Sequence, residues 1–297
     1  MKEPVCILLD GSLTGQKKLL AECKEMYDMN AWGNASRYYC GKKTLDNLHI
    51  PFDPLGRLIF YGSNDYHHLT YRLMRDIKEP VTLVVFDRHT ECEKFLQGMI
   101  YCGSWVYDVL KLPNVDRVLI AGVDSDIGTI FLTDLLNPVF LRTIVDLKAL
   151  DGRVAMFPYL PHNNRFLSKG DRERLDRIIR PPFTSVDSLS SDIIKEIRTD
   201  DVYISIDKDV LRSDDSLTEW GSGMMTLSEL IRCVEMISAE KSVIGMDVCG
   251  DISTDTPHGL MRKLRHYANG RLGKGGSDAV GINERTNLEL IGSFRSL

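Results

Sequence analysis

Short apolar runs recur along the chain, and each closes on a polar cluster. Residues 5–10, 57–61, 81–86, 117–123, 153–157, 202–206 and 242–248 each read as a strand, with a further short strand at 184–186. The run VTLVVF at 81–86 is apolar at every position except Thr82, the pattern of a strand covered on both faces of a parallel sheet. Longer segments with helical spacing separate the runs. Residues 15–29 set Leu19, Leu20, Cys23 and Met26 on one side, and 227–239 repeat Leu230, Ile231, Val234 and Ile237. Thr226 followed by Glu229 predicts a capping box at the start of the latter. Helices are also predicted to end near residue 77 and over 95–112, 130–150, 171–179, 191–198, 259–268 and 284–294. Residues 31–49 show no period, and 211–223 and 270–276 read as loops.

This alternation predicts one α/β domain over residues 1–297, a three-layer α/β/α sandwich on a mostly parallel sheet. Such sheets bind ligands outside the carboxyl ends of their strands, which is where the polar clusters fall.

Composition narrows the function classes. The chain has 43% hydrophobic and 27% charged residues, ordinary for a globular protein. A net charge of -5 argues against a nucleic-acid surface built on bulk charge. No apolar run approaches the roughly 18 residues a membrane span requires. The first residues lack the long apolar stretch of a secretory signal, so a cytoplasmic location is expected. Seven scattered cysteines without a CxxC are expected to be mostly buried free thiols.

Three strand exits carry candidate chemistry: GSNDYHH (62–68), DRHTE (87–91) and DKD (207–209). Asp87, His89 and Glu91 are spaced by two, as are Asp207 and Asp209. If the chain stays extended, each set points to one side, with Arg88 and Lys208 pointing away. Carboxylates and imidazoles on one side of a strand end are ligands for hard or borderline divalent cations. Six such ligands suit two cations with shared carboxylates. Manganese fits the mixture; zinc, iron(II) and cobalt are compatible with it.

The order of these motifs resembles the arginase/agmatinase (ureohydrolase) superfamily. That family carries GGDHS, DAHxD and SxDxD at three strand ends. The segments GMMTLSEL (223–230) and SVIGMDV (242–248) resemble two later family segments. The resemblance covers roughly 59–91 and 201–251 and implies an arginase/deacetylase-like fold. It implies His67 as a first-site histidine, with His68 as the alternative if the loop shifts by one. Asp87 and Asp207 match the bridging carboxylates, and His89 and Asp209 match second-site ligands. Glu91 stands where the family has a first-site aspartate. The position of the family's guanidinium-binding acid falls on Gly250, between Cys249 and Asp251, and an extended strand would turn Asp251 to the opposite side. Gly250 is therefore expected to leave extra room beside the metals. No histidine in 103–108 matches the family's proton shuttle.

The implied function is a binuclear metal hydrolase acting on a C–N bond of a small nitrogen compound. Asp87, Asp207 and Glu91 would be its catalytic carboxylates, with Glu91 also accepting a hydrogen bond from the nucleophile. Two alternatives carry over. One is a mononuclear zinc deacetylase-like enzyme; the other is a non-catalytic protein that keeps the fold. The expected partner is a small-molecule substrate, with no nucleic acid or membrane and with self-association open. Trp220 reads equally as a substrate wall or a packing residue. His162 reads as an ordinary surface histidine, His258 and His266 as part of the C-terminal helix region, Lys274 as part of a turn, and Asp124 and Asp126 as helix caps.

Overall fold

The computed structural model describes residues 3–93, 96–124, 147–161, 169–253, 255–260, 262–263, 278–295 and 297. Ten strands are described: β1 (Val5–Leu8), β2 (Glu25–Asp28), β3 (Tyr39–Gly41), β4 (Leu58–Gly62), β5 (Val81–Phe86), β6 (Met99–Tyr101), β7 (Val115–Val123), β8 (Val154–Pro158), β9 (Asp201–Asp207) and β10 (Ser242–Cys249). Eight form one sheet in the order β2-β1-β4-β10-β9-β5-β7-β8, with every neighbouring pair parallel.

Side-chain alternation explains why the strands are almost wholly apolar. Leu83 and Val85 of β5 belong to one buried apolar cluster, while Val84 and Phe86 belong to another. In β9, Tyr203 joins the first cluster and Val202, Ile204 and Ile206 the second. Both faces of the sheet are therefore covered, giving the three-layer arrangement. Leu83, Val84, Val85 and Phe86 have no exposed surface, and burial of each stabilises the fold by roughly 1.5–3 kcal/mol.

The connection order places the site. After β4 the chain skips two positions and forms β5; β9 and β10 later fill the gap. The crossovers run opposite ways from this gap, and a crevice opens there at the carboxyl ends of the strands. The exits of β4, β10, β9 and β5 stand side by side at it.

Several local expectations are corrected. Within 15–29 only Lys17–Glu22 is helical. Glu25–Asp28 instead pairs with β1 as the edge strand, and Met26 is 52% exposed. Four residues of mixed polarity carry too little period to separate strand from helix, and pairing decided the outcome. The helix predicted over 95–112 is replaced by β6 and the short helix Val106–Val109. Gly98, at φ 77°, breaks it, and β6 pairs antiparallel with β3. The periodless stretch 31–49 holds the helices Asn30–Ser36 and Lys42–Asp46 with β3 between them. No strand forms at 184–186; Ser185 instead caps the helix Val186–Glu196. The predicted Thr226–Glu229 capping box is present at the helix Leu227–Glu240.

Cys6 and Cys23 are joined as a disulfide with Cα atoms 6.0 Å apart. Cys40, Cys92, Cys102, Cys233 and Cys249 are free and buried. Among the described residues, no helix is long and apolar enough to cross a membrane. Most of 130–150, the loop 270–276, and Asp126, His162, His266 and Lys274 lie outside the described residues.

Candidate metal centre

The ladder between β5 and β7 continues one residue beyond β5, where the Asp87 N–H donates to the Ala121 carbonyl. The chain then turns. The His89 N–H donates to Asp87 Oδ1 at 2.6 Å, and Glu91 adopts the left-handed region at φ 53°. The exit of β9 repeats the device: the Asp209 N–H donates to Asp207 Oδ1 at 3.0 Å, opening the 3₁₀ turn Lys208–Val210. The spacing of two does bring the acids together, but through aspartate-capped turns and not through an extended strand. The intervening cations point away, as expected. Arg88 pairs with Asp124 at 3.0 Å, and buried Lys208 reaches Asp251 at 2.7 Å and Asn287 at 2.9 Å.

At the exit of β4, Ser63 caps the single turn Asn64–Tyr66, and His67 and His68 follow. The His67 Nε2 atom lies 3.0 Å from Ser205 Oγ, which donates to Asp247 Oδ1 at 2.7 Å. Thr70 and Tyr61 also donate to Asp247 Oδ1. This buried network fixes the ring and turns Nδ1 toward the acids. His68 packs beside Trp32 instead, with ring centroids 6.2 Å apart. Burial, then the charges of His67 and Arg262, push the His68 imidazole down to about 3. The loop is thus not shifted, and His67 is the histidine brought into the cluster.

All six predicted residues converge. His67 Nδ1 lies 3.2 Å from Asp87 Oδ2, 3.5 Å from Asp207 Oδ2 and 3.8 Å from Glu91 Oε2. His89 Nδ1 lies 3.0 Å from Asp209 Oδ2 and 3.4 Å from Asp87 Oδ1. Among themselves these six form two ligand triplets, His67–Asp87–Glu91 and Asp87–His89–Asp209, and His67 and Asp207 form a third with Cys249; in each the ligand atoms lie within 4.8 Å of one another. Asp87 belongs to the first two and turns one oxygen to each imidazole.

Burial and mutual charge set the electrostatics of the cluster. Burial followed by the charge of Asp87 pushes the Glu91 carboxyl well up, and burial followed by Asp209 and Asp87 does the same to Asp207. Burial and Asp87 raise Asp209 to about 6. Asp87 alone moves down: bonds to His67 and His89 outweigh its burial. Burial would depress both imidazoles, but their carboxylate partners prevail, holding His67 up at about 10 and His89 well above its usual range. Glu91 and Asp207 are thus pushed toward their neutral forms, while the imidazoles of His67 and His89 place positive charge beside Asp87. His67 Nδ1 and Asp87 Oδ2 are buried and make no well-aligned hydrogen bond. Carboxylates and imidazoles with unspent lone pairs suit divalent cations, so the residues present fit such a group.

A cavity of about 160 Å³ stands over the cluster. His67, His89, Glu91, Asp207 and Asp209 line it, with Asn64, Glu93, Tyr101 and Trp220 among the walls and, among the described residues, no lysine or arginine. Trp220 lines the cavity, where its ring meets His89 edge-on at 6.0 Å, and it also packs, with Nε1 donating to Asp65 at 2.9 Å. The expectation of extra room at Gly250 is overturned. Gly250 has φ 104°, and a Cβ there would lie 2.8 Å from the Lys208 backbone nitrogen. Asp251 does not bulge into the cluster, since it binds Lys208 and accepts from Gln16 at 2.6 Å. Sequence reasoning missed Trp105, whose Nε1 donates to Glu91 at 2.7 Å. It also missed Asn64, 3.5 Å from both Asp207 and Asp209. Ser205, two residues before Asp207 and at the serine of the family's SxDxD, is the sequence signal that could have found the support of His67. His258 is exposed.

No family model matches the chain. An uncharacterized protein of Thermotoga maritima is 27% identical over 192 residues, which is 65% of this chain and 57% of that protein. The match therefore spans little more than half of that relative's length. Among solved structures, the arginase of Entamoeba histolytica in complex with L-ornithine aligns with a TM-score of 0.51 at 13% identity, over 99% of this chain and 98% of that one. Proclavaminate amidino hydrolase from Streptomyces clavuligerus gives 0.50 at 14%, over 96% and 92%. A hypothetical agmatinase from Burkholderia thailandensis gives 0.50 at 12%, over 99% and 86%. At such identities the likeness is one of architecture: the chain has the arginase-like α/β fold.

Proposed function

We propose that this chain is a hydrolase of a C–N bond in a small nitrogen compound, working with two divalent cations, Mn²⁺ foremost. The observation that carries the reading is the pair of ligand triplets sharing Asp87 on the floor of a cavity. The names of the arginase, amidino hydrolase and agmatinase neighbours support the reaction class. His67, Glu91 and Asp207 would hold one cation and His89 and Asp209 the other, with Asp87 between them. Bound there, the cations supply Lewis acidity and make a water molecule nucleophilic near neutral pH.

The chain's own residues position the rest. Trp105 holds the Glu91 carboxylate through its indole N–H, so Glu91 keeps one orientation toward an incoming nucleophile. Trp220 and Tyr101 form aromatic walls beside the cluster, and Glu93 places an acid in the lining. A cavity with acidic and aromatic walls, and no basic side chain among the described residues, favours a neutral or cationic substrate over an anionic one.

Arginine and agmatine are expected to be poor substrates even with Mn²⁺ saturated. Gly250 offers no carboxylate to a guanidinium, and Asp251 is held by Lys208 and Gln16. Urea and ammonia release from a panel of guanidino, amidino and amide compounds tests the proposal. Turnover of at least one amide or amidino compound that depends on added metal is the expected result. Efficient arginine hydrolysis would refute the specificity argument, and no metal-dependent turnover of any panel member would refute the activity. One bound ion per chain would favour the mononuclear zinc alternative.

A further inference from the structure

Cys249 is the last residue of β10, in register with Asp207 of β9 on one side and Gly62 of β4 on the other. It therefore stands between two of the three exits that supply the candidate ligands. Its side chain is fully buried. Its sulfur, a His67 ring nitrogen and an Asp207 carboxylate oxygen all lie within 4.8 Å of one another. The chain leaves immediately afterwards, since the Gly250 N–H donates to the Gly62 carbonyl at 2.8 Å. Cys249 is thus the last β10 side chain before the backbone turns away.

Two further observations point to a ligand at this spot. His67 Nδ1 and Asp87 Oδ2 are buried and lack a well-aligned hydrogen-bond partner. The His67 Nε2 atom is already engaged by Ser205, which leaves Nδ1 for the cluster. The opposite triplet, Asp87–His89–Asp209, offers oxygen and nitrogen only. The two halves therefore differ in donor softness.

Resting on the two-cation reading above, we infer that Cys249 is a thiolate ligand of the cation held beside His67 and Asp207. The thiol loses its proton to solvent when the cation binds, and a sulfur–metal bond forms with no change of oxidation state. A sulfur donor moves that half toward borderline cations such as Zn²⁺, Co²⁺ or Fe²⁺, while the His89–Asp209 half keeps a donor set suited to Mn²⁺. The physiological pair of metals would then be mixed.

Titration of the full-length, metal-stripped chain with Co²⁺ tests the assignment. The expected result is a near-ultraviolet thiolate-to-cobalt charge-transfer band that saturates at one Co²⁺ per chain. The band should be lost in Cys249→Ser and kept in Cys92→Ser, whose cysteine is also buried and adjacent to Glu91. A band that survives Cys249→Ser overturns the assignment. Bound Co²⁺ without any such band overturns it while leaving the two-cation reading intact. Failure to bind Co²⁺, Zn²⁺ or Mn²⁺ at all overturns both. X-ray absorption of the unmodified chain carrying one Zn²⁺ needs no variant. It should show a sulfur neighbour at roughly 2.3 Å, and a shell of nitrogen and oxygen alone would refute the proposal.

Discussion

Two buried acidic clusters flank Trp220, and they resolve their charge in opposite ways. On one side, Arg37 donates to Asp65 at 2.7 Å and lies 3.3 Å from Glu219, and its guanidinium also reaches the Asp255 carbonyl. On the other, Asp87, Glu91, Asp207 and Asp209 meet the imidazoles of His67 and His89, and among the described residues neither lysine nor arginine lines their cavity. The first cluster carries its own permanent cation and has no opening in the described cavity. The second has imidazoles as its cations, keeps unpartnered lone pairs and borders that cavity. Buried charge of the first kind secures a fold. Buried charge of the second kind, with perturbed titration beside a cavity, is what a binding site presents.

The comparison can be broken most severely at Asp87, the residue common to both triplets. Asp87→Ala should lower bound metal by at least one ion per chain, read by elemental analysis. It should also reduce metal-dependent turnover by roughly 10³-fold or more. Unchanged metal content would mean the acids serve structure alone. Arg37→Met attacks the other side. It strips the cation from buried Asp65 and Glu219 and should cost about 3–5 kcal/mol, seen as a lower urea midpoint with the metal content per folded chain unchanged. A loss of metal in that variant would show that the two clusters are one site.

A smaller effect separates them without mutation. On the proposed reading Mn²⁺ would bind the folded chain selectively, and at a hundredfold excess over Kd one site would stabilise by about 2.7 kcal/mol. The melting temperature should therefore rise with Mn²⁺ and fall back with EDTA in the unmodified protein, and hardly move in Asp87→Ala. The smallest expected effect concerns pH. Burial, then the charge of Asp65, raise the Glu219 carboxyl to about 9 from its ordinary 4.5, with Arg37 opposing. The folded chain then keeps a proton that the unfolded chain gives up. Stability contributed by this group is complete below pH 4.5 and is lost progressively as pH rises toward 9. Glu219→Gln should flatten that decline in urea midpoints measured across the same interval. An equally steep decline in the variant would assign it to another group.

Particular residues show how much was legible in advance. The strands β5, β7, β9 and β10 were readable because each buries both faces. A short apolar run that stops at a polar exit is the pattern such burial imposes. The six ligand candidates were readable for a related reason: acids and imidazoles recurred at three such exits in a recognisable order. The edge strand Glu25–Asp28 was not readable, because its identity comes from pairing with Val5–Leu8, remote in sequence. The β3–β6 pair was hidden in the same way. Gly250 was misjudged because a missing side chain says nothing about what fills its place; here the Lys208 backbone does.

The sequence by itself determined the class of fold and the chemistry on offer at the strand ends. Hydrophobic period and residue type are local properties and survive without coordinates. Tertiary structure alone decided how those groups were used. It chose His67 over His68 through Ser205 and Asp247, drew Glu91 in through a left-handed turn, sent Asp251 to Lys208, and set Cys249 beside His67 and Asp207. Each outcome depends on contacts between segments far apart in the chain. Only the folded sheet, with β9 and β10 inserted between β4 and β5, brings those segments together.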